Sequence, residues 1–304
     1  MLVASEGAFA ADVRLPWLLA ALAGMPWPIK RRLAAHQLAW RSLAGLCRLA
    51  GWDDRWLGWH RVANGPFGGL RIKALHPNHL WAPLGTYEPA VAECLTGLLR
   101  SMQGRGTPVE VWDVGANHGL MALLCAHRGA ARVLAVEPWP PNVTTIRAHL
   151  NANPGPAGRI EILQAAISNA DGDVTLVADA QDGQICQIEA PGIEAYPRAS
   201  STIARVHARS LDSLVAERRV APAIVKIDVE GAEALVLDGA RGLLEAHRPY
   251  LVVELHDRGA AARALQVLAE ARYDCRRIAA GGHLVPVTAG MAHVHVLATP
   301  LPSR

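Results

Sequence analysis

The feature that most constrains the fold is an alternation of strand and helix patterns that begins at Val109. Residues 109–114 and 132–136 are short apolar runs that predict strands, and residues 120–127 between them predict a helix. Continuous apolar runs are typical of strands that are buried on both faces, as in parallel sheets. The pattern therefore predicts an α/β fold with helices on both faces of a largely parallel sheet.

The alternation continues towards the C-terminal end of the sequence. We expect helices at 141–150, 210–218, 232–237 and 260–271. We expect strands at 160–167, 224–229, 250–255, 275–279 and 293–298, and an extra strand at 172–177 that forms a hairpin with its predecessor. Upstream, the patterns predict a helix at 29–50, a strand at 70–74, a helix at 89–100 and a linker at 101–108.

Composition excludes several classes of protein. With 51 % hydrophobic and 19 % charged residues in 304, the chain is not disordered. Its apolar runs are too short for a membrane span, and its N-terminus lacks the pattern of a secretory signal. Five dispersed cysteines without a CxxC pair favour reduced thiols, a cytoplasmic location and no structural zinc. Residues 101–304 hold 19 basic and 21 acidic residues, so we expect no nucleic-acid partner.

Residues 1–80 differ from the rest and are predicted to be a helical N-terminal extension to a domain at 81–304. Six of the nine tryptophans lie in the first 59 residues, and residues 13–52 carry six basic side chains and no acidic one. Tryptophan and basic residues suit a membrane surface, which gives the hypothesis of peripheral membrane contact. The competing hypothesis, which we prefer, is a helical lid packed on the catalytic domain.

The turn after the first strand of the alternation indicates a cofactor site. Asp113 ends the strand, and Gly115 and Gly119 allow the backbone to approach a ligand closely. Glu137 ends the next strand, where an acid is placed to accept hydrogen bonds from two ribose hydroxyls. A dinucleotide fold requires glycine where Asn117 stands, and Asp113 would repel a pyrophosphate. These residues favour S-adenosylmethionine, and leave open a nicotinamide or other nucleotide and a sheet that binds no cofactor.

Several motifs, in order and spacing, resemble the FkbM-type methyltransferases across residues 82–299. The motifs are YEP at 87–89, DVGANHG at 113–119, VEP at 136–138 followed by Asn142, AAIS at 165–168, SLDSL at 210–214, KIDVEGAE at 226–233 and VELH at 253–256. The resemblance implies a Rossmann-like, seven-stranded class I methyltransferase that uses S-adenosylmethionine, usually to methylate a hydroxyl. By position, it implies that Asp113, Gly115, Asn117 and Gly119 border the methionine part, Glu137 holds the ribose, and Asn142 and Ala166 lie near the ribose or adenine.

A second group of polar residues is predicted at the chemical end of the site. On a strand over 225–230, Lys226, Asp228 and Glu230 would share one face, and Glu254 and His256 share a face of the next strand. Ligands bind open α/β sheets at the carboxyl ends of strands, so Asp228, Glu230, Glu254 and His256 are the candidate catalytic residues. We expect His256 to be the general base and Asp228 to position the acceptor. Lys226 is expected to form an internal ion pair with Asp228 or Asp113.

A metal role for the acids is an alternative, because divalent ions can chelate a diol acceptor. The sequence shows no compact ligand motif, so no metal site is predicted. The function that the residues favour is methylation of a hydroxyl on a small molecule such as a sugar, glycolipid or polyketide. The alternatives are a nucleotide-dependent oxidoreductase and a non-catalytic membrane-associated protein with a vestigial cofactor fold. The sequence does not indicate an oligomeric state.

Overall fold

The computed structural model describes residues 17–35, 57–76, 79, 81–104, 106, 108–179, 186–190, 193, 201–288 and 290–302. Contacts divide the chain into two compact units, Met1–Pro89 and Ala90–Arg304. The second unit contains the predicted strand–helix alternation. The boundary at residue 80 stays a prediction.

The first unit combines short helices with a two-stranded sheet. Strands β1 (Gly58–Arg61) and β2 (Arg71–Ala74) pair antiparallel, and the described helices are α1 (Trp17–Gly24), α2 (Trp27–Ala35) and α3 (Trp81–Leu84). The buried Lys30 of α2 links these elements, because its Nζ donates hydrogen bonds to the carbonyls of Ala23 and Leu84. Burial lowers the pKa of Lys30 to about 8. The remainder of the helix predicted at 29–50, with Trp40, lies outside the described residues, as do Trp52 and Trp56.

The second unit is built on an eight-stranded sheet. The strand order is β13-β12-β14-β11-β10-β3-β4-β5, and β5, β4, β3, β10 and β11 are parallel. Strand β14 runs antiparallel to both of its neighbours, and β13 adds a short hairpin at the edge. The strands are β3 (Glu110–Val114), β4 (Arg132–Val136), β5 (Ile160–Leu163), β10 (Ile224–Ile227), β11 (Tyr250–Leu255), β12 (Tyr273–Ile278), β13 (Leu284–Pro286) and β14 (Val294–Pro300). Without β13, the order is that of the seven-stranded Rossmann-like sheet, so the predicted fold class is confirmed.

Helices connect the parallel strands, as crossover connections require. They are α4 (Pro89–Gln103), α5 (Leu120–His127), α6 (Pro140–Ala152), α7 (Pro154–Ala157), α8 (Leu211–Arg218), α9 (Glu233–Asp238), α10 (Arg241–Ala246) and α11 (Arg258–Glu270). Two of them begin at side-chain caps: Ser210 accepts from Ser213 N before α8, and Asp257 accepts from Ala260 N before α11.

A second, four-stranded sheet corrects the prediction for residues 160–177. Its order is β6-β9-β7-β8, from β6 (Ala166–Ile167), β7 (Gly172–Asp179), β8 (Cys186–Ile188) and β9 (Ser201–Arg209). The strand predicted at 160–167 is two strands in two sheets, and the predicted hairpin with 172–177 is wrong. Strand β7 instead pairs antiparallel with β9 from Gly172 to Asp179. This longer ladder depends on β9, which the sequence pattern did not predict.

The strand predicted to run through Glu230 ends earlier, at Ile227. Asp228 N still donates to Val114 O, but Glu230 has φ +53° and Gly231 has φ +100°. These left-handed residues turn the chain away from the sheet. The alternation of side chains along a strand therefore does not determine which way Glu230 points.

The core of the second unit lies around the parallel strands. Apolar side chains of β3, β4, β10 and β11 pack with those of α8 to α11, and Trp112 at the centre is fully buried. A smaller apolar cluster, which includes Leu176, Ile188 and Ala208, joins the four-stranded sheet to Ala232. Across the described part of the chain, no helix has both the length and the hydropathy needed to cross a bilayer.

Candidate active site

A cavity of about 560 Å³ opens at the carboxyl ends of β3, β4 and β10. This volume includes space that is open to solvent. Its lining combines loop residues after the three strands with apolar residues of the four-stranded sheet. The lining residues are Gly115, Asn117, Val136, Glu137, Pro138, Asn142, Ala165, Ala166, Ile167, Leu176, Cys186, Ile188, Asp228, Val229 and Glu230.

Steric constraints require glycine at position 115, in the turn after β3. Its φ is +75°, and a Cβ built on it would lie 1.8 Å from the carbonyl oxygen of Asp228. No side chain can be accommodated there unless the end of β10 moves. Gly115 thus allows the turns after β3 and β10 to lie against each other at the floor of the cavity.

Glu137 at the end of β4 organises the side of the cavity predicted to hold ribose. Its Oε2 accepts from Asn117 N at 2.7 Å, and its Oε1 accepts from Trp139 N at 2.9 Å and Asn142 Nδ2 at 3.3 Å. Burial raises the pKa of Glu137 to about 7, although these three donors favour the charged form. A carboxylate offers about four lone-pair sites, so it can still accept from a ligand hydroxyl.

The structure brings together most, but not all, of the residues predicted to bind cofactor. Gly115, Asn117, Glu137, Asn142 and Ala166 line the cavity. Asp113 and Gly119 are not among the described residues that line it. Asp113 is fully buried with Lys226 Nζ 3.8 Å from its Oδ1, and burial raises its pKa. Gly119, at φ +75°, lies against the side chain of Ile146.

Sequence reasoning missed the apolar wall of the cavity. Leu176, Cys186 and Ile188 come from β7 and β8 of the four-stranded sheet. The predicted extra strand at 172–177 contained Leu176 but gave no sign that it faced the cofactor end. Apolar residues in the same cavity as Glu137 and Asn142 are suited to contact the planar face of a nucleobase.

Lys226 holds two acids at the boundary between β3 and β10. The register pairs Lys226 with Asp113, and its Nζ lies 2.8 Å from Asp228 Oδ2. The expected internal ion pair is therefore present. It leaves Asp228 Oδ1 free to face the neighbouring strand.

His256 lies at the centre of the predicted catalytic residues. Its Nε2 lies 3.5 Å from Asp228 Oδ1, 3.6 Å from Glu230 Oε2 and 3.8 Å from Glu254 Oε1. We call these four residues the acceptor cluster. Strands β10 and β11 are parallel neighbours in register, which brings Asp228 next to Glu254 as the sequence predicted.

Glu233, which no sequence argument selected, orients His256. Its Oε1 accepts from both His256 Nδ1 at 2.8 Å and Gly231 N at 2.9 Å, and its side chain is fully buried. Burial disfavours the imidazolium, but the hydrogen bond and charge of Glu233, with the charges of Glu230 and Asp228, raise the pKa of His256 to about 9. Glu233 lies within the KIDVEGAE motif, which was the available signal.

The two glutamates of the acceptor cluster differ in environment. Burial raises the pKa of Glu230 to about 7, and neighbouring carboxylates add to this while His256 opposes it. Burial also disfavours the charged form of Glu254, but His295, with Nε2 3.0 Å from Glu254 Oε2, together with His256 and Lys226 lowers its pKa to about 2. Only Asp228 and Glu230 of the cluster are among the described residues that line the cavity.

A comparison with family models decides the assignment. The model described as "Methyltransferase FkbM domain" matches residues 113–275, which is more than half of the chain and includes both the cavity and the acceptor cluster. The chain belongs to the FkbM methyltransferase family. The resemblance predicted from the motifs is confirmed.

A curated relative and two solved structures extend the comparison. The hexuronic acid methyltransferase AglP of Haloferax volcanii is 31 % identical over 148 residues, which span 48 % of this chain and 55 % of AglP. The match therefore covers about half of each protein. A methyltransferase FkbM structure from Methylobacillus flagellatus KT is 17 % identical with a TM-score of 0.42, covering 87 % of this chain and 72 % of that one. Precorrin-6y C5,15-methyltransferase from Geobacter metallireducens GS-15 is 14 % identical with a TM-score of 0.40, covering 69 % and 87 % respectively.

Proposed function

We propose that this FkbM-family protein is an S-adenosylmethionine-dependent methyltransferase whose acceptor is an oxygen of a small, sugar-type molecule. One observation carries the proposal. One cavity is lined by Glu137 and Asn142, by Asp228 and Glu230, and by apolar residues of the four-stranded sheet. Family membership and the match to a hexuronic acid methyltransferase support the same conclusion.

The residues present fit the cofactor. Glu137 would accept hydrogen bonds from the ribose hydroxyls, and Leu176 and Ile188 would contact the adenine. The carboxylates that line the cavity would favour the positive charges of the sulfonium and ammonium groups. When bound, the cofactor supplies an electrophilic methyl group.

The acceptor cluster would hold the acceptor oxygen in line with that methyl group, since positioning supplies much of the rate of such transfers. A hydroxyl acceptor must also lose its proton. Of the two members that line the cavity, Asp228 is paired with Lys226, so Glu230 is the one better placed to take the proton. The prediction that His256 is the base becomes, on this geometry, the weaker assignment.

The sugar class of acceptor rests on AglP, whose name specifies a hexuronic acid. A uronic acid offers both hydroxyl oxygens and a carboxylate oxygen. An ionised carboxylate has no proton to lose, so its methylation needs no base. Loss of the Glu230 carboxylate should therefore slow methylation of a hydroxyl oxygen but not of a carboxylate oxygen.

The test is methyl transfer from labelled S-adenosylmethionine to a panel of uronic acids, neutral sugars and their lipid-linked forms. Glu230→Gln is expected to lower kcat by about 10²–10⁴-fold on a hydroxyl acceptor, the usual contribution of a positioned base. Its affinity for S-adenosylmethionine should stay close to that of the unmodified protein. Glu189→Gln, at an exposed site beyond β8, is the matched control. Absence of transfer to any oxygen acceptor, with transfer to nitrogen or carbon instead, would overturn the proposal.

A further inference from the structure

The acceptor cluster places three carboxylates around one imidazole nitrogen. His256 is 6 % exposed, and its Nε2 forms no hydrogen bond within the described structure. Three carboxylate oxygens nevertheless face that nitrogen at 3.5, 3.6 and 3.8 Å. Hydrogen bonds from nitrogen to oxygen are typically about 2.7–3.2 Å long.

These separations are slightly longer than, or at the upper end of, those between ligands around a metal ion. With metal–ligand bonds of about 2.0–2.2 Å, the donors of a tetrahedral site are about 3.3–3.6 Å apart. One ligand atom from each of Asp228, Glu254 and His256 also lies within 4.8 Å of the other two. The three side chains could thus share one ion after small movements.

The second polar atom of each of these residues is held by a group outside the acceptor cluster. Nδ1 of His256 is bound by the fully buried Glu233. Lys226 holds Asp228 Oδ2 at 2.8 Å, and His295 lies 3.0 Å from Glu254 Oε2. Histidines that bind metal donate their other ring N–H to a carboxylate or carbonyl in almost every site, and the resulting orientation exposes the ligating nitrogen.

We propose that Asp228, Glu254 and His256 bind one divalent transition-metal ion. A set of carboxylates and one imidazole suits Mn²⁺ and its neighbours in the first transition row. The site differs from the sequence prediction of no metal, because its ligands come from two strand ends 28 residues apart and have no compact spacing.

The ion would act on the acceptor side of the cavity, a part of the proposal that rests on the proposed function. Asp228 also lines the cavity, so an ion bound to the acceptor cluster would lie beside the methyl acceptor. The side chains of Asp228, Glu230 and Glu254 remain 15–22 % exposed, which leaves the ion open to an acceptor oxygen. A bound divalent cation would neutralise these carboxylates and chelate a vicinal diol or a hydroxy-carboxylate, both of which a uronic acid contains.

Direct metal binding tests the proposal without requiring a substrate. Full-length protein is treated with EDTA, freed of chelator and titrated with MnCl₂, with free Mn²⁺ read by electron paramagnetic resonance. We expect one Mn²⁺ per chain, and Glu254→Gln and His256→Ala should each weaken binding at least tenfold. Glu233→Gln should weaken it by about 10–100-fold, the effect of losing an outer partner of a metal ligand. If His256→Ala does not fold, His256→Gln replaces it.

The matched control is Asp173→Asn, which removes an exposed carboxylate 3.7 Å from His207 Nδ1 on β9. It should leave Mn²⁺ affinity unchanged. Failure to bind one Mn²⁺, or equal affinity in the folded Glu254→Gln and His256 variants, would overturn the metal site. Methyl transfer is measured separately. Transfer that proceeds at full rate in EDTA would also overturn the metal site, but it would preserve the proposed function. Specific Mn²⁺ binding without methyl transfer would support the metal site and contradict the proposed function.

Discussion

At the scale of single residues, the turn after β3 depends on glycine at one position more than any other. Gly115 has a positive φ and leaves no room for a Cβ beside the Asp228 carbonyl. Gly119 also has a positive φ, but a Cβ there would come no closer than 3.0 Å to the side chain of Ile146. The two glycines of the motif therefore have unequal structural roles.

Gly115→Ala is expected to abolish S-adenosylmethionine binding or folding, because the Asp228 backbone cannot move without breaking the β3–β10 ladder. Gly119→Ala should have a smaller effect on both. Gly97→Ala is the control, since Gly97 lies within α4 and a Cβ added there would meet nothing within 4 Å. It should stabilise the protein by about 0.5–1 kcal/mol. Thermal unfolding and calorimetric titration measure both quantities, and wild-type binding by Gly115→Ala would contradict the steric account.

The raised pKa of Glu137 predicts that cofactor binding depends on pH. Its pKa in the free protein is raised by burial to about 7, and the ionised form accepts hydrogen bonds from ribose hydroxyls better than the protonated form. Binding therefore favours the ionised form and lowers this pKa. Affinity for S-adenosylmethionine should rise with pH up to and through about 7 and then level off, and it should fall by up to about tenfold per pH unit below that value.

The measurement is the dissociation constant between pH 5.5 and 8.5 for the unmodified protein and for Glu137→Gln. The variant cannot ionise at this position, so any pH dependence that it retains belongs to the cofactor or to other groups. Equal slopes in the two proteins would assign the pH dependence elsewhere.

At the scale of elements, the two sheets meet at the turn after β10. Gln187 of β8 donates from Nε2 to the carbonyl of Glu230 at 3.1 Å, and Glu230 is one of the left-handed residues of that turn. The four-stranded sheet therefore supports the residue that would take the acceptor proton, as well as lining the cavity.

Gln187→Ala should lower kcat by about fivefold, which corresponds to the roughly 1 kcal/mol of one hydrogen bond, with little change in cofactor affinity. Glu189→Ala, two positions along and exposed, is the control. Methyl transfer and calorimetric titration separate the two quantities. An equal loss in both variants would show that Gln187 has no particular role at the turn.

Local pattern predicted the parallel core because those strands are short, apolar and separated by helices. Helix 120–127 and strands 132–136 and 250–255 were predicted with the boundaries that the structure has. The four-stranded sheet escaped prediction because β9 is polar and exposed along much of its length, and its partners are distant in sequence. Likewise, the motif located Glu137 and Asp228, but the role of Glu233 depends on a contact 23 residues away that no spacing reveals.

At the scale of the whole molecule, the residues that line the cavity all belong to the second compact unit. Removal of residues 1–60 would cut within the N-terminal extension that the sequence predicted at 1–80. That truncation would divide β1 and remove Lys30, which holds the Leu84 carbonyl in the first unit. A break at residue 89 preserves the described elements of the second unit.

A variant containing residues 90–304 is expected to fold and to bind S-adenosylmethionine with the affinity of the full chain. A variant that lacks residues 1–60 should be less stable than either, because the remainder of the first unit loses its partners. Circular dichroism, thermal unfolding and calorimetric titration check these outcomes. A folded 90–304 variant that does not bind the cofactor would show that the first unit completes the site.

The most direct test of the central claim is calorimetric titration of the full-length protein with S-adenosylmethionine and, separately, with NAD. We predict one S-adenosylmethionine site per chain and no NAD binding. Glu137→Gln should weaken the S-adenosylmethionine site by about 1.5–3 kcal/mol, the scale of hydrogen bonds to a charged group. The control is Glu161→Gln, which removes a surface carboxylate of the neighbouring strand β5. Glu161 pairs with Arg218 of α8, and the variant should bind S-adenosylmethionine normally. Binding of NAD in place of S-adenosylmethionine, or unchanged S-adenosylmethionine affinity in a folded Glu137→Gln variant, would contradict the assignment of this cavity as the methyl-donor site.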